Sequence, residues 1–158
     1  RLILDGLRVN EHEQSNLVER LIDQACRWGT RTGVEVICSQ SGDISVVELI
    51  SSEAGWHIQR ILGEILTNVE KHARATKVFL DLSVDSTSLT LEARDNGVGL
   101  PSEGSRTPAD GHYGVSGMFE RASILNAKLT MDGYSTDSGV HTILTVPFES
   151  LDLSEGAA

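Results

Sequence analysis

The chain has 158 residues, a length that suits one compact domain with a substantial buried core. Its formal net charge is −10, from 13 Lys and Arg against 23 Asp and Glu, which disfavours direct nucleic-acid binding. No apolar run reaches the roughly 18 residues of a membrane span. Cys26 and Cys38 lack CxxC spacing, so we expect buried, reduced thiols in a cytoplasmic setting.

Apolar periodicity divides the chain into three helical and five strand-forming segments. Paired antiparallel strands with helices on one face predict the α/β class: a two-layer α/β sandwich with a mixed, mostly antiparallel sheet. In chain order the predicted elements are a helix over 15–29, a strand over 34–38, a polar connection over 40–52 with a turn at 42–43, a long helix over 53–73, strands over 77–84 and 89–94 joined by a turn at 85–87, a glycine-rich loop over 100–113, a helix over 115–125, and strands over 128–132 and 140–148.

The long helix carries a line of polar residues beside its apolar stripe. At about 100° per residue with Ile65 at zero, the stripe extends from about −40° to about 100°. Glu64, Asn68 and His72 then lie near −100°, −60° and −20°, and Lys71 lies near −120°, all approximate angles from helical spacing. We call these four residues the polar ribbon. The helix alone is equally consistent with a polar seam that caps the core.

The segment Asp95–Gly99, named here the Asp95 loop, ends a predicted strand with a carboxylate and two glycines. A carboxylate held there is able to accept a hydrogen bond from an exocyclic amine such as that of adenine. Gly97 and Gly99 permit positive φ and a close approach of other groups. Alone, this pattern is more typical of an ordinary turn. Together with the polar ribbon it predicts an ATP site.

A glycine-rich segment over 111–118 opens the next predicted helix. Backbone N–H groups at a helix start, with the positive end of the helix dipole, suit phosphate groups. By itself the segment is also consistent with an ordinary loop followed by a helix cap. It is not a P-loop, because GxxxxGK[ST] is absent, and no GxGxxG follows a strand.

These motifs resemble the ATP-binding catalytic domains of bacterial sensor histidine kinases, within the ATPase superfamily that includes gyrase, Hsp90 and MutL. The segment 64–73, Glu-Ile-Leu-Thr-Asn-Val-Glu-Lys-His-Ala, is similar to the N box of the nitrate-sensor branch. Residues 111–118, followed by Glu120-Arg121-Ala122, are similar to that branch's lid end and following helix. The resemblance covers about residues 53–148 and implies a Bergerat-type fold.

The resemblance also implies roles for individual residues. Asn68 is expected to bind Mg²⁺ through its amide oxygen, and Glu64 is the expected general base. Lys71 and His72 are expected to face the phosphates of ATP. The residues expected to bind the rest of the nucleotide are Asp95, Gly97 and Gly99 around the adenine and His112, Tyr113, Gly114 and Gly117 in the lid.

Several positions depart from the family pattern. Gly139-Val140 stands where the family commonly has Gly-Thr, so a hydroxyl contact to adenine is in doubt. Asn126-Ala127 replaces a Gly-Gly turn, and asparagine tolerates left-handed geometry. No phosphoacceptor helix is evident, and the surroundings of His12-Glu13 do not match one. The remaining histidines, His57, His112 and His141, are interpreted as surface or lid residues.

We therefore expect residues 1–12 to be the tail of a preceding helical dimerisation segment, residues 13–150 the ATP-binding catalytic domain, and residues 151–158 a disordered tail. The expected activity is transfer of the γ-phosphate of ATP to a histidine of a separate domain of the same protein, for relay to a response regulator. Two alternatives stay open: a Ser/Thr kinase of the anti-sigma-factor type, and a non-catalytic ATP-gated interaction module. We expect this chain to be monomeric and its full-length protein to be dimeric and anchored at a membrane.

Overall fold

The computed structural model describes residues 16–99, 112–133 and 139–148. The expected segments 1–12 and 151–158 lie outside these ranges, as do residues 100–111 of the loop predicted over 100–113. The elements are α1 (Leu17–Thr32), β1 (Glu35–Gly42), a 3₁₀ helix (Ile44–Leu49), α2 (Ser52–Asn68) with a π-helical turn (Val69–Ala73), β2 (Lys77–Val84), β3 (Ser88–Asp95), α3 (His112–Ile124), β4 (Lys128–Asp132) and β5 (His141–Pro147).

The five strands form one sheet in the order β1-β2-β3-β5-β4. Strands β1 and β2 are parallel, and the other three pairs are antiparallel. Burial alternates along β2, β3 and β5, so one face of the sheet lies in the core beneath the helices. The opposite face is open, with the paired side chains of Ile37 and Phe79 exposed. This arrangement confirms the predicted α/β sandwich.

Helix α2 supplies the central apolar layer of the domain. Its N-terminus is capped by the Ser51 hydroxyl, which accepts a hydrogen bond from the Ala54 N–H at 3.2 Å. Every residue of the predicted apolar stripe is buried, which confirms the helical period. The residues of this stripe are Ala54, Ile58, Ile61, Leu62, Ile65, Leu66 and Val69.

Three local features differ from the prediction. The connection expected to be polar contains the 3₁₀ helix, whose start is capped by Asp43 and whose Val47 is buried. The long helix changes to π geometry over Val69–Ala73, a segment called here the π turn, and ends at Arg74 with φ 51°. Helix α3 begins at His112, three residues earlier than expected. Regular apolar periodicity does not encode these short, locally capped irregularities.

The prediction was wrong for His57, which is buried although it was interpreted as a surface or lid residue. Its Nδ1 has no hydrogen-bond partner among the described residues. The neighbouring Trp56 is exposed instead, with the guanidinium carbons of Arg60 and Arg121 5.7 Å and 5.1 Å from its ring centroid. These contacts link the outer surface of α2 to α3.

The prediction was also wrong for Cys26, which is exposed on α1, while Cys38 on β1 is half-buried. Burial raises the pKa of the Cys38 thiol to about 11, and the nearby Cys26 thiol adds to the shift. The expected left-handed turn after α3 is present at Asn126, with φ 50°. Within the described ranges, no helix combines the length and apolar character that crossing a membrane requires.

Candidate functional site

The polar ribbon lies at the C-terminal end of α2 and in the π turn. Glu64 and Asn68 are half-buried at the border of the core, as their angular positions predict. Lys71 and His72 follow in the π turn and are exposed. Among the described residues, none forms a hydrogen bond with the side chains of Glu64, Asn68 or His72. Their polar atoms are therefore available to a ligand.

The Asp95 loop packs directly against the end of the π turn. The Val98 N–H donates a hydrogen bond to the Ala73 carbonyl oxygen at 2.8 Å. A Cβ on Gly97 would lie 2.2 Å from that same oxygen, so this approach requires glycine. Gly99 has φ +79° and is buried. The structure thus brings together two motifs that lie more than twenty residues apart in sequence.

Asn96 fixes the loop to the beginning of β2. Its side-chain Oδ1 accepts hydrogen bonds from the N–H groups of Thr76 and Lys77, each at 2.9 Å. Its Nδ2 donates to the Thr76 hydroxyl at 2.8 Å, and its own N–H donates to the Lys77 carbonyl oxygen at 3.2 Å. These four hydrogen bonds of one residue tie the loop to the segment that begins β2.

The Asp95 carboxylate is buried at the end of β3, with 5% of the residue exposed. Its Oδ1 accepts a hydrogen bond from the Gly97 N–H at 2.8 Å, and its backbone N–H donates to the Val140 carbonyl oxygen at 3.1 Å. Gly139 has φ +66°, and a Cβ there would lie 2.5 Å from Oδ1. The carboxylate is therefore oriented by one glycine and closely approached by another. This leaves its second oxygen, Oδ2, to accept from a ligand amine.

Helix α3 follows the predicted lid. Gly117 is half-buried, and a Cβ built there would meet no atom within 4 Å. Met118, the next residue, is fully buried in the core and fixes the helix against the sandwich. The side chains of His112 and Tyr113 and the surroundings of Gly114 lie outside what the structure describes. Their expected contacts with the nucleotide stay predictions.

The ribbon's donor atoms fit the predicted magnesium ion. In proteins Mg²⁺ takes oxygen ligands, and near nucleotides it relies on one or two protein groups plus phosphates and water. The Asn68 amide oxygen, half-buried at the border of the core, offers one such ligand. In the described ranges no three His, Cys, Asp or Glu side chains cluster into a complete metal-binding cage. Any cation here would take most of its ligands from the nucleotide and water.

Comparison with known proteins decides the family. The family model of histidine kinase-, DNA gyrase B- and HSP90-like ATPases matches residues 53–150, which is more than half of the chain. The chain belongs to this ATPase family. The match begins at α2 and extends beyond β5, so it includes the ribbon, the Asp95 loop and Gly139. The predicted family and the expected function as an ATP-binding catalytic domain are thereby confirmed.

Curated relatives include the nitrate/nitrite sensor protein NarQ of Escherichia coli, 33% identical over 100 residues, which are 63% of this chain and 17% of NarQ. The sensor histidine kinase LiaS of Bacillus subtilis is 37% identical over 67 residues, which are 42% of this chain and 18% of LiaS. This chain therefore spans less than a fifth of the length of either relative.

Solved structures show the same fold at lower identity. The blue-light activated histidine kinase of Erythrobacter litoralis EL346 superposes with a TM-score of 0.71 and 22% identity, over 90% of this chain and 45% of that one. The mycobacterial sensor histidine kinase MprB gives a TM-score of 0.61 and 16% identity, over 84% of this chain and 95% of that one. These likenesses support the sandwich architecture.

Two residues that shape the site were not among the predicted site residues. Asn96 was read only as a member of the Asp95 loop, although an Asn that follows a strand-terminal Asp signals side-chain to backbone hydrogen bonding. Gly139 was noted only as part of a departure from the family pattern. A glycine directly before a strand that pairs with β3 was the available signal for close packing on Asp95.

Proposed function

We propose that this chain is the ATP-binding catalytic domain of a two-component sensor histidine kinase. It transfers the γ-phosphate of Mg-ATP to a histidine on a separate dimerisation domain of the same protein, which passes it to a response regulator. The proposal assigns the catalytic domain to residues 13–150 and the dimerisation segment to the region before it. Such a domain works on the cytoplasmic side of a sensor.

The observation that carries this proposal is the contact between the Asp95 loop and the π turn. The Val98–Ala73 hydrogen bond and the packing of Gly97 hold a buried carboxylate and the polar ribbon on one side of the domain. A buried acceptor at one end and a half-buried amide, a lysine and a histidine at the other match the two ends of ATP. The relative LiaS is a sensor histidine kinase, which supports histidine as the acceptor class.

Each residue has a distinct part in the reaction. Asp95 accepts from the adenine amine, and Gly97 and Gly99 shape the space around it. Lys71 and His72 orient the phosphate chain from the exposed side of the π turn. When bound, Mg²⁺ supplies charge neutralisation for the phosphoryl group, and Asn68 is its proposed protein ligand.

Glu64 lies one turn before Asn68 and is the proposed general base for the incoming imidazole. Its half-buried carboxylate is part of the ribbon and accepts no hydrogen bond from the described residues. It is thus able to orient the acceptor and receive its proton. Positioning of the reactants and neutralisation of the phosphate charge account for the rest of the rate enhancement.

The test mixes this domain with the separately expressed dimerisation domain of the same gene and radiolabelled ATP. Acid-labile, base-stable label on histidine supports the proposal. Acid-stable label on serine or threonine supports the alternative of an anti-sigma-type kinase, and tight ATP binding without transfer supports a non-catalytic module. Either of the last two results overturns the proposed activity.

A variant pair tests the assignment of the ribbon. Asn68→Ala is expected to abolish Mg²⁺-dependent ATP binding, measured by titration calorimetry with and without the metal. Gln59→Ala is the matched control, because Gln59 is a half-buried amide on the same helix outside the ribbon. Unchanged Mg²⁺ dependence in Asn68→Ala would remove α2 from the nucleotide site.

A further inference from the structure

The carboxylate of Glu70, inside the π turn, is held by two side chains from the last turns of α1. Arg31 binds it with both terminal guanidinium nitrogens, Nη1 to Oε1 at 3.0 Å and Nη2 to Oε2 at 2.9 Å. The Trp28 indole N–H donates to Oε2 at 3.2 Å. Trp28 is 7% exposed, so one member of this group is anchored in the core. A two-point guanidinium contact is geometrically specific as well as electrostatic.

This contact lies at one end of the segment that carries the phosphate-facing residues. Glu70 immediately precedes Lys71 and His72, and Ala73, which follows them, accepts the hydrogen bond from the Asp95 loop. The π turn is therefore fastened to α1 at one end and to the loop at the other. The side chains of Lys71 and His72 form no hydrogen bond with a described residue.

The charge of Glu70 also concerns its neighbour Lys71. The Glu70 carboxylate forms an ion pair with the Arg31 guanidinium at 2.9 Å and directly precedes Lys71 in the π turn. Without the Arg31 guanidinium, this carboxylate would be left to attract the neighbouring Lys71 ammonium group. The same unpaired carboxylate would repel the phosphates of a nucleotide.

We propose that Arg31 is a positioning residue of the ATP site: it occupies the Glu70 carboxylate and thereby leaves the Lys71 ammonium group to the phosphates. Trp28 holds the carboxylate from the core side. The inference rests on the proposed function, since it takes Lys71 to be a phosphate-binding residue. It adds that α1, which precedes the matched family region, takes part in nucleotide binding.

The test compares ATP affinity in three variants by titration at low and high salt. Arg31→Ala is expected to weaken ATP binding roughly two- to five-fold at low salt, the range for an exposed ion pair, with a smaller loss at high salt. Glu70→Gln keeps the shape and an acceptor oxygen without the charge, and is expected to bind ATP like the unmodified domain. The double variant, Arg31→Ala with Glu70→Gln, is expected to recover that affinity.

Recovery of ATP affinity in the double variant would show that Arg31 acts by occupying the charge of Glu70 rather than by supporting the π turn. If the contact only stabilised the π turn, the double variant would bind ATP as weakly as Arg31→Ala, and that result overturns the inference. Arg27→Ala is the matched control, because Arg27 forms an ion pair with Asp23 on the same helix at 2.9 Å without reaching the π turn. Arg31→Ala that binds ATP like Arg27→Ala also overturns it. Failure of the unmodified domain to bind ATP counts instead against the proposed function.

Discussion

The two ends of the candidate site are built differently. At the Asp95 end, the loop residues form hydrogen bonds with the start of β2, with the residue just before β5 and with one another, and two close glycine contacts leave no space for a side chain. At the ribbon end, Glu64, Asn68 and His72 have no hydrogen-bonding partner among the described residues. One end is held together by hydrogen bonds within the protein, and the other has polar side chains that no described residue bonds.

This difference predicts that substitutions at the two ends have different effects on stability and on function. Buried, mutually bonded groups stabilise the fold as well as a ligand, so a substitution that removes one of their bonds or fills a close contact lowers stability and affinity together. Polar groups held for a ligand contribute little to the free energy of unfolding, and active-site residues are often neutral or costly for stability. Substitutions in the ribbon should therefore reduce function while leaving the thermal midpoint unchanged.

The largest expected effect is the loss of transfer in Glu64→Gln. General-base catalysis contributes about 10²- to 10⁴-fold, so the rate of histidine phosphorylation should fall by roughly that factor. ATP affinity and the thermal midpoint should stay as in the unmodified domain, since the amide keeps the volume of the carboxylate. Glu53→Gln, in the exposed first turn of α2, is the control. A loss of stability without a loss of rate would mean that Glu64 belongs to the structural end.

At the Asp95 end, Gly139→Ala should destabilise the domain. An alanine there must adopt φ +66° and would place its Cβ 2.1 Å from the Asp95 carbonyl oxygen. Left-handed strain and overpacking together cost about 3 kcal/mol or more. For a domain of this size that lowers the thermal midpoint by roughly 6–12 °C, measured by calorimetry, and ATP binding should be lost in parallel.

Gly117→Ala is the matched glycine control for stability. Gly117 lies inside α3, and a Cβ there meets no atom within 4 Å. Alanine is a better helix former, so the domain should gain about 0.5–1 kcal/mol. Equal destabilisation by the two substitutions would refute the claim that Gly139 is specially constrained by Asp95.

A smaller effect is expected for Asp95→Asn. The asparagine oxygen is still able to accept from the Gly97 N–H, so the thermal midpoint should change little. Its amide nitrogen would face the ligand amine in place of an acceptor, weakening ATP binding by about 10- to 100-fold. The preference for ATP over GTP should fall as well. Asp85→Asn, in the turn between β2 and β3, is the control.

Long regular elements were predictable because their burial follows a simple period. The stripe of α2 and the alternation of β2, β3 and β5 needed only the spacing of apolar residues. The same spacing places His57 about 20° from Asn68 around the helix. The angle marks both as border residues, but only packing decides that His57 is enclosed and Asn68 remains accessible. Periodicity therefore located the ribbon without separating it from the core.

The irregular features depended on contacts that no local pattern encodes. The π turn is fastened through Glu70 by Arg31, 39 residues earlier in the chain, and through Ala73 by the Asp95 loop. The close approach of Gly139 to Asp95 requires the β3–β5 pairing to be known. The family resemblance supplied the site's residue types, and the long-range contacts supplied the reason for its rigid end.

The smallest expected effect is on ATP affinity and concerns Val140, at the border of the Asp95 end of the site. Val140 directly precedes β5, and its carbonyl oxygen accepts a hydrogen bond from the Asp95 N–H; the family commonly has threonine at this position. Val140→Thr keeps the size and leaves the backbone bond to Asp95 intact, so stability should change little. A hydroxyl at this position is expected to tighten ATP binding by about two- to five-fold, the worth of one net hydrogen bond. Ile143→Thr adds a hydroxyl to the open face of the same strand and should leave affinity unchanged. If both variants bind ATP as the unmodified domain does, residue 140 acts through its backbone alone, and the protein-built end of the site is complete without the threonine.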